Sequence, residues 1–512
     1  MTDLINAAAL TADEQLSLLS GADFWRTRAL PERGIRSVML ADGPHGLRAQ
    51  VEATDHLGLA SSVAATCFPT AATLASSWNE QLVHEVGEAV GREARALGVG
   101  VVLGPGMNIK RHPLCGRNFE YYSEDPLLSG RLAASAVRGI QSAGVGACLK
   151  HFAVNNQEHR RFVIDAIVDE RTLRELYLRG FEIAVRESSP RLVMAAYNRI
   201  NGDHATDARW LLTDILRNEW GFDGVVVSDW GAEADRVAGV AAGMDLEMPG
   251  GAGTEPAVRA ALADGTLDPA HVALSAQRII DLATDAPSGP APTMAELLNP
   301  HDSLARRAAA SSSVVLANDG VLPIAPGTRV ALIGAFADAP RYQGSGSSLV
   351  TPTRLTTARE ALEAAGLEVA YSPGYEPVRS APDAALINDA VAIARDADVA
   401  IVMVGLPGIA ESEGFDRETL ALPAQHDALV TAIAAVNPRT VVALSVGAPV
   451  LLPWRHDVAA ILLGYLGGQA SGGALADTVL GVIEPAGRLA ETWPAAQGDV
   501  PSDPFFPGDL AQ

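Results

Sequence analysis

The feature that most constrains the fold is a pattern that recurs through the first half of the chain. A short apolar segment ends in a polar residue and is followed by a glycine-rich loop and a helical stretch. Such segments lie at residues 35–42, 99–103, 146–151, 192–197, 224–229 and 243–247, with helical patterns at 79–97, 170–187 and 208–220. Strands that alternate with helices form parallel sheets. Because the polar strand ends are too many for the single crevice of an open sheet, the pattern predicts an N-terminal (β/α)8-type, TIM-like barrel.

The alternation stops near Leu282, before a stretch rich in proline and small residues at 285–292. This composition is typical of a semi-rigid linker. Beyond it we predict a helix at 303–316, strands at 330–334, 399–405, 440–446 and 459–464, and a helix at 425–436. These elements indicate a smaller α/β sandwich domain. The predicted organisation is therefore a barrel over residues 1–284, a linker over 285–300 and a second domain over 301–512.

Charge and cysteine content restrict the partners of the chain. The sequence has 61 acidic and 38 basic residues, a formal net charge of -23, which repels nucleic acid and anionic membrane surfaces and suits a neutral small substrate. No metal or other cofactor is predicted, since no group of His, Asp and Glu has a ligand pattern, and three widely spaced cysteines, Cys67, Cys115 and Cys148, indicate neither a disulfide framework nor a zinc motif. With no signal peptide or membrane span evident, we expect a cytoplasmic protein, and leave homodimer formation open.

The segment 223–231 places a carboxylate at the end of a strand. Three consecutive valines, Val225, Val226 and Val227, follow an Asp-Gly turn signal and indicate a fully buried strand. Asp229 comes directly after this strand, and the carboxyl ends of parallel strands face the ligand. A turn residue or a helix N-cap would have the same local sequence. Asp229 is therefore a catalytic candidate whose strength depends on the rest of the chain.

Two further stretches of the first half concentrate polar side chains. Residues 150–161 contain Lys150, His151 and Arg161 with asparagines and a glutamine, and so many hydrogen-bonding groups in one cleft suit a polyhydroxylated ligand. Residues 111–126 combine arginines such as Arg117 with aromatic rings, which stack on sugar faces. A solvated loop with one buried histidine and an ordinary surface loop are the simpler interpretations of the two stretches.

The second half contributes two loops of interest. The strand at 399–405 runs into a loop with two glutamates, Glu411 and Glu413, which could supply a proton donor; an exposed acidic loop is the alternative. The Gly-Ser loop at 343–348 includes Ser347, and its amides could hold an anion, although it lacks the lysine of a P-loop. Glycoside hydrolysis needs two carboxyl groups of this kind, one as nucleophile and one as acid and then base, about 5 Å apart when configuration is retained.

The longest motifs of the chain resemble those of glycoside hydrolase family 3 β-glucosidases. The matching segments are 42–48, 116–120, 150–152, 156–158, 161, 197–198, 227–230 and 411–417, in the family's order and spread over nearly all of the chain. The resemblance implies a barrel followed by an α/β sandwich, an active site at their interface and retention of the β configuration. The implied substrate is a small oligosaccharide or β-glucoside that loses its terminal non-reducing glucosyl residue.

The resemblance also implies roles for individual residues. Asp229 matches the nucleophile, and Glu413, directly before the Gly-Phe-Asp-Arg run, best matches the acid/base, with Glu411 as the second candidate. Tyr197 resembles the tyrosine beside the nucleophile, and Trp230 a residue that stacks on the leaving-group side. The other substrate-binding candidates are Asp42, Arg48, Arg117, Lys150, His151, Arg161 and Ser347.

One departure from the family pattern concerns the C-terminal side. Family members of this type commonly continue past the segment that resembles 487–494, often with a fibronectin type III domain, whereas this sequence ends at Gln512. We expect either a compact variant or a C-terminally truncated chain. The Lys-His-Phe-Pro-Gly-His-Gly run of the β-N-acetylglucosaminidase branch is absent. A β-xylosidase, a glycosidase of glycosylated natural products and a catalytically impaired sugar-binding homologue stay open as alternatives.

Overall fold

The computed structural model describes residues 5–50, 62–250, 254–377 and 380–508. The chain divides into two compact units. The first comprises Met1–Val63, Val83–Ile109 and Asp125–Leu297, and the second comprises Ala64–Leu82, Lys110–Glu124 and Leu298–Gln512. Two segments from the N-terminal half thus belong to the second unit, which the predicted division did not include. One of them carries the substrate-binding candidate Arg117.

The first unit is built on a parallel sheet. Its strands among the described residues are β1 (Leu40–Asp42), β2 (Val101–Leu103), β3 (Gly146–Phe152), β4 (Asp165–Ala166), β5 (Leu192–Ala195), β6 (Arg199–Ile200), β7 (Asp203–His204) and β8 (Val225–Ser228). β1, β2, β3, β5 and β8 lie side by side in that order, all parallel, while β4, β6 and β7 form a separate small sheet. Every residue of the five parallel strands is buried, which explains why their sequences are nearly continuous apolar runs.

Single backbone bridges extend this sheet beyond β8 and round towards β1. They join Val227 to Leu246, Ser20 to Glu247, Gly21 to Thr27 and Arg26 to Met39, the residue before β1. The parallel sheet therefore curls on itself, and the predicted TIM-like fold is confirmed. The strand predicted at 243–247 is present as two of these bridges and not as a regular strand.

Helices cover the outside of this sheet. The α-helices are Ala12–Leu18, Glu80–Ala96, Pro126–Ser142, Glu170–Thr172, Arg179–Ser188, Arg236–Ala242, Glu255–Asp264 and Pro269–Asp285, and the π-helical segments are Leu173–Tyr177 and Trp210–Glu219. Their apolar faces meet strand residues such as Leu40, Val101, Met194 and Val227 in one core. This packing holds the carboxyl ends of the strands in place.

The second unit is also a layered α/β structure. Its strands are β9 (Val314–Asn318), β10 (Arg329–Ile333), β11 (Glu368–Ser372), β12 (Val399–Gly405), β13 (Thr440–Ser445) and β14 (Ala460–Leu463). They lie in the order β11-β10-β12-β13-β14-β9, and β9 alone among these six is antiparallel to its neighbour. The accompanying α-helices are Ala71–Ala75, Met294–Ser312, Ala358–Ala364, Ala384–Asp396, Ala424–Ala434 and Ser471–Val479. The α/β class predicted for the second domain is confirmed.

The first helix and strand of this half differ from the sequence prediction. The helix predicted at 303–316 is the longer helix Met294–Ser312, and residues 314–316 belong to β9 instead. The prediction was wrong at this end because Val314 and Val315 pair with Leu463 and Leu462 of the distant strand β14, a contact that local periodicity does not reveal. The same helix covers residues 294–300, so the irregular stretch after residue 285 is shorter than the predicted linker.

Short 3-10 turns occur at Ala7–Ala9, Pro31–Arg33, Asn118–Glu120, Ala335–Ala337, Gly408–Ala410, Gln497–Asp499 and Asp503–Phe505. Two of them, Asn118–Glu120 and Gly408–Ala410, lie in loops that carry predicted site residues. Across the described ranges, no helix combines the length and hydrophobicity needed to span a lipid bilayer.

Candidate active site

Asp229 follows β8 at the carboxyl end of the parallel sheet. Its amide donates a hydrogen bond to the Ala195 carbonyl at 3.1 Å, so the backbone stays paired with β5 as far as the candidate residue. Carboxylate oxygen Oδ1 accepts a hydrogen bond from the Trp230 amide at 2.8 Å, and Oδ2 lies 3.7 Å from His151 Nε2. The Asp229 side chain is 11% exposed, so protein encloses most of the carboxylate. A paired strand therefore sets the position of the predicted nucleophile.

Lys150 and His151 lie near the end of β3, where the pairing with β5 changes register between Leu149 and Phe152. An irregularity of this kind redirects side chains. Asn108 fixes the backbone of His151 from both sides: its Oδ1 accepts a hydrogen bond from the His151 amide, and its Nδ2 donates one to the His151 carbonyl, both at 2.8 Å. Asn108 is a positioning residue that the sequence analysis missed.

Asp42 ends β1 and lies beside Lys150. Its Oδ1 is 3.9 Å from Lys150 Nζ, and its Oδ2 is 3.5 Å from a guanidinium nitrogen of Arg48. The Arg48 amide also donates a hydrogen bond to the Asp42 carbonyl at 2.8 Å. Arg48 is 1% exposed, so its charge is buried beside Asp42, itself a candidate sugar contact.

Arg161 and Tyr197 connect to the residue after Asp229. Arg161 donates a hydrogen bond to the Glu158 carboxylate at 2.8 Å, and its guanidinium carbon lies 4.8 Å from the centre of the Tyr197 ring, within cation–π range. The Tyr197 hydroxyl donates a hydrogen bond to the Trp230 carbonyl at 3.1 Å. The Trp230 indole N–H in turn donates one to the Phe24 carbonyl at 2.9 Å. These bonds hold the rings of Tyr197 and Trp230 in fixed orientations.

The structure thus brings eight of the predicted residues into one cluster, which we call the Asp229 cluster: Asp42, Arg48, Lys150, His151, Arg161, Tyr197, Asp229 and Trp230. It lies at the carboxyl ends of β1, β3, β5 and β8. Buried polar groups interact strongly with any partner that satisfies them, because little water competes. The cluster can therefore bind hydroxyl groups and present a carboxylate to the same ligand.

Four residues after Asp229, Glu233 has a largely buried carboxyl group that the sequence analysis missed. Its Oε1 lies 3.1 Å from the Arg236 guanidinium, which also donates hydrogen bonds to the carbonyls of Leu19 at 2.8 Å and Asp245 at 3.1 Å. Burial raises the pKa of Glu233 to about 7, although the positive charge of Arg236 opposes the shift. The pair ties the loop after the predicted nucleophile to neighbouring backbone.

Glu413 is held by the Gly-Ser loop of the second unit. Its Oε2 accepts a hydrogen bond from the Ser347 amide at 2.8 Å, and its own amide donates one to the Ser345 carbonyl at 3.2 Å. Gly346 has a φ of +104°, and a Cβ there would lie 2.4 Å from the Cβ of Glu413. Glycine therefore permits both this backbone conformation and the close approach of the two loops. Ser347 contacts Glu413 through its backbone.

Arg117 lies on the other side of Glu413. Its NH1 is 3.7 Å from Glu413 Oε1, and its NH2 donates a hydrogen bond to Glu120 at 2.5 Å. Next to it, a Cβ on Gly116 would lie 1.7 Å from the carbonyl oxygen of Phe415, so the loop carrying Arg117 meets the loop carrying Glu413 backbone to backbone. The structure therefore brings Arg117, Ser347 and Glu413 together.

Glu411 has a different environment from Glu413. One of its carboxylate oxygens accepts a hydrogen bond from the Gly447 amide, and the other accepts one from Arg341 at 3.2 Å. The residue is 2% exposed, and burial raises the pKa of its carboxyl group while the charges of Arg341 and Arg417 oppose the shift. These contacts make Glu411 an anchor for its loop.

The remaining groups of chemical interest in the described residues are potential metal ligands and cysteine thiols. Within the described ranges, no three His, Cys, Asp or Glu residues lie close enough to hold a metal ion together. The thiols of Cys67 and Cys148 are buried, and burial raises the pKa of both. They are therefore protonated near neutral pH and poor nucleophiles.

Some of the missed residues had a usable sequence signal. Asn108 lies in the loop after β2, so the rule that polar residues after strand ends line the site could have found it. Glu120 stood inside the motif that contains Arg117, but its hydrogen bond with Arg117 could be recognised only from coordinates. Gly116 also stood inside that motif, but its close contact with Phe415 lies about 300 positions away in the sequence. Glu233 was missed because the burial of its side chain, which pairs with Arg236, is not visible in the sequence.

Sequence models of two known domains match the chain. The model described as the glycosyl hydrolase family 3 N terminal domain matches residues 25–282, and that described as the glycosyl hydrolase family 3 C-terminal domain matches residues 313–510. A protein from Acetivibrio thermocellus named thermostable beta-glucosidase B is 50% identical over 505 residues, which cover 98% of this chain and 67% of that protein.

Two Bifidobacterium proteins are also similar. One from Bifidobacterium longum, named exo-alpha-(1->6)-L-arabinopyranosidase, is 45% identical over 513 residues, which cover 98% of this chain and 68% of that protein. The crystal structure of a GH3 beta-glucosidase from Bifidobacterium adolescentis superposes with a TM-score of 0.92 at 46% identity, covering 98% of this chain and 73% of that one. The likeness therefore extends over both units of the chain.

Proposed function

Because this chain belongs to glycosyl hydrolase family 3 and is therefore a glycoside hydrolase, we propose that it acts as a retaining, exo-acting β-glucosidase. The observation that carries the proposal is the Asp229 cluster, in which a carboxylate lies among buried basic side chains and one tyrosine. The 50% identity to a protein named as a β-glucosidase supports glucose as the sugar. A net charge of -23 is compatible with a neutral glucoside.

In the first step of the proposed reaction, a carboxylate oxygen of Asp229 attacks the anomeric carbon of the terminal glucosyl residue. The bond from that carbon to the leaving-group oxygen breaks, and protonated Glu413 gives its proton to this oxygen. In the second step the Glu413 carboxylate takes a proton from water, whose oxygen displaces Asp229 from the anomeric carbon. Two inversions leave the β configuration unchanged. This chemistry requires both carboxyl groups at one glycosidic bond.

The groups around Asp229 have separate tasks in this proposal. Lys150 and His151 donate hydrogen bonds to sugar hydroxyls, and Asp42 accepts one. Asn108 positions His151 through its two backbone hydrogen bonds. Arg161 contributes a further hydroxyl contact while its charge lies against the Tyr197 ring. Bonds of this kind hold the anomeric carbon in line with the attacking oxygen, which lowers the entropic part of the barrier.

The contacts of the two glutamates favour Glu413 over Glu411 as the acid/base. Both carboxylate oxygens of Glu411 bind groups of its own unit, so proton transfer to a substrate would first break those bonds. Glu413 lies 3.7 Å from Arg117, but Arg117 is closer to Glu120, at 2.5 Å. Glu120 therefore competes with Glu413 for the Arg117 guanidinium, so the contact at Glu413 Oε1 is weaker than the hydrogen bonds that hold Glu411. The other oxygen, Oε2, accepts a hydrogen bond from the Ser347 amide at 2.8 Å.

Four 4-nitrophenyl glycosides test the sugar preference. The β-D-glucoside and β-D-galactoside differ in configuration at C4, and the β-D-xyloside and α-L-arabinopyranoside are their counterparts without the C6 hydroxymethyl group. We expect the highest kcat/KM for the glucoside. A higher value for the xyloside would contradict the β-glucosidase assignment in favour of a β-xylosidase. A protein that binds glucose but turns over none of the four would be a sugar-binding homologue.

One alternative has an observation of its own. The 45% identity to a protein named exo-alpha-(1->6)-L-arabinopyranosidase favours α-L-arabinopyranoside hydrolysis as a second candidate function. In that case the arabinopyranoside would be the best substrate, and the galactoside, which shares its C4 configuration, would exceed the glucoside. The ranking of the same four substrates therefore separates the two candidates.

Proton NMR during the first minutes of hydrolysis tests the stereochemical course. A retaining enzyme releases β-glucose first, and the α anomer then accumulates by mutarotation. Early appearance of α-glucose would contradict a covalent intermediate on Asp229.

A further inference from the structure

An exposed aromatic residue follows Arg161 directly. Phe162 is 51% exposed, although its ring centre lies 4.5 Å from that of Tyr197 and 5.2 Å from the guanidinium carbon of Arg161. These are ordinary distances for aromatic and cation–π contacts. Two other apolar residues that follow in the sequence, Val163 and Ile167, are 53% and 72% exposed. An exposed aromatic ring therefore adjoins the Asp229 cluster.

Hydrogen bonds hold the loop that carries Phe162 in one shape. The Arg161 amide donates a hydrogen bond to the Glu158 carbonyl at 3.2 Å, and the amides of Val163 and Ile164 both donate to the Arg160 carbonyl at 2.9 Å. The loop then enters β4, which pairs with β6. The Phe162 ring is thus presented to solvent in a fixed place, so that a ligand contacting it pays little ordering entropy.

Burial separates Phe162 from the candidate sugar contacts. Asp42, Lys150, His151 and Arg161 are at most 5% exposed and all are charged or polar. A glucosyl residue bound by these groups is enclosed, and only the aglycone can extend from them towards solvent. Phe162 is half exposed and has no group that bonds to a hydroxyl. Its ring therefore suits the aglycone and not the glucosyl residue.

From this geometry we infer that Phe162 determines leaving-group specificity by packing against an aromatic or extended apolar aglycone. The inference rests on the proposed function and names aryl and long-chain alkyl β-glucosides as the preferred substrate class. Contacts between aromatic rings are worth enough to change kcat/KM by roughly 2- to 12-fold. A small aglycone, such as methyl, does not reach the ring and gains nothing from it.

The test compares kcat/KM for 4-nitrophenyl β-D-glucoside and methyl β-D-glucoside in the wild-type protein and three variants. Phe162→Ala is expected to lower the value for the aryl glucoside roughly 2- to 12-fold and to leave that for the methyl glucoside unchanged. Phe162→Tyr retains the ring and keeps the wild-type ratio. The control is Leu274→Ala, which removes a side chain that is 55% exposed on the helix Pro269–Asp285 and changes neither value.

Inhibition by phenyl 1-thio-β-D-glucoside, a glucoside that resists hydrolysis, measures the same contact without catalysis. Its inhibition constant rises in Phe162→Ala by the factor found for the aryl substrate, whereas that of glucose does not change. An equal loss on both substrates would overturn the inference, because Phe162 would then act by supporting Arg161 and Tyr197. Unchanged values on both would overturn it as well. A wild-type protein inert towards both glucosides would overturn the proposed function, and this inference with it.

Discussion

The two predicted catalytic carboxylates are held in contrasting ways. Asp229 follows a buried strand, and its own amide is bonded to the neighbouring strand β5. Glu413 lies in a loop whose shape depends on two other loops, through Ser347 and Gly116. The sheet therefore fixes the first carboxylate, and loop packing fixes the second. Changes that leave both cores intact should affect the two carboxylates differently.

Asp229→Ala tests the carboxylate that the sheet holds and should have the largest effect on activity. Without the nucleophile no glycosyl-enzyme forms, and kcat on 4-nitrophenyl β-D-glucoside should fall roughly 10,000-fold or more. Because the carboxylate follows the strand and is not part of the core, the variant should remain folded by circular dichroism. Activity within tenfold of wild type would remove Asp229 from the mechanism.

Asp235→Ala is the matched control for this experiment. Asp235 is another carboxylate close behind β8, but it caps the helix Arg236–Ala242 by accepting hydrogen bonds from the amides of Val237 and Ala238 at 2.9 and 3.0 Å. Its loss should reduce the free energy of unfolding by about 1 kcal/mol and leave activity in place. A similar loss of activity in both variants would indicate disruption of the loop and not loss of a nucleophile.

Glu413→Ala tests the carboxylate that loop packing holds. General acid catalysis contributes roughly 100- to 10,000-fold, so hydrolysis of a glucoside with a poor leaving group should fall by that factor. The leaving group of a 2,4-dinitrophenyl glucoside needs little protonation, so the rate of its glycosylation step should fall much less. Azide, which attacks the glycosyl-enzyme without a base, should restore turnover and yield β-glucosyl azide. No dependence on the leaving group would contradict the acid/base role.

Glu411→Ala provides the internal comparison within the same loop. This change leaves Arg341, whose side chain is 10% exposed, without the carboxylate of Glu411 and should reduce the free energy of unfolding by about 3 kcal/mol, measured by urea denaturation. Activity should fall because the anchored loop shifts, and azide should not restore it. Azide rescue of Glu411→Ala and not of Glu413→Ala would exchange the roles of the two glutamates.

Gly116→Ala breaks the loop contact without touching a charged group. The added Cβ would lie 1.7 Å from the Phe415 carbonyl oxygen, so the loops of Arg117 and Glu413 must separate. A displacement of about 1 Å should lower kcat/KM roughly 10- to 100-fold. Gly408→Ala is the control, since a Cβ there would meet the Ser345 hydroxyl at 3.4 Å, an ordinary contact, and activity should be kept. Equal activity of both variants would show that loop packing does not place Glu413.

The same contrast explains what the sequence could predict. The strand 224–229 was recognisable because burial on both faces produces a run of valines, and the carboxylate after it followed from the rule for parallel sheets. Predicting the surroundings of Glu413 would have required the pairing of residues 66 positions apart, as for Ser347 and Glu413. β9 was missed for the same reason, because its partner β14 is more than a hundred residues away.

The two glutamates of the 411–417 loop show how far a motif alone could reach. Both stand in the matched run, and the resemblance preferred Glu413 by its place before the Gly-Phe-Asp-Arg run. Their difference in environment, with the Glu411 oxygens bound to Gly447 and Arg341, depends on loops that no local pattern brings together. The residue types were therefore predictable, while the difference between their environments required coordinates.

Glu233→Gln has the smallest expected effect on activity. It tests how pH changes the stability contributed by the loop after Asp229. The pKa of Glu233 is about 7 in the folded protein against 4.5 for an ordinary glutamate. Between these values the folded protein binds more protons than the unfolded chain, so its free energy of unfolding falls as pH rises from 4.5 to 7 and levels off above 7. The fall amounts to at most about 3 kcal/mol.

Glutamine carries no charge at any of these pH values, so the free energy of unfolding of the variant lacks the fall that ionisation of Glu233 causes. Urea denaturation at pH 5, 6, 7 and 8 should show the stability of Glu233→Gln rising relative to wild type across the series. Activity at pH 5 should change little, because the amide oxygen can still accept the hydrogen bond from Arg236. A difference that stays constant from pH 5 to 8 would mean that Glu233 is already ionised at pH 5 in the folded protein. The Arg236 contact would then outweigh burial, and the loop behind Asp229 would be held by an ion pair instead of a protonated acid.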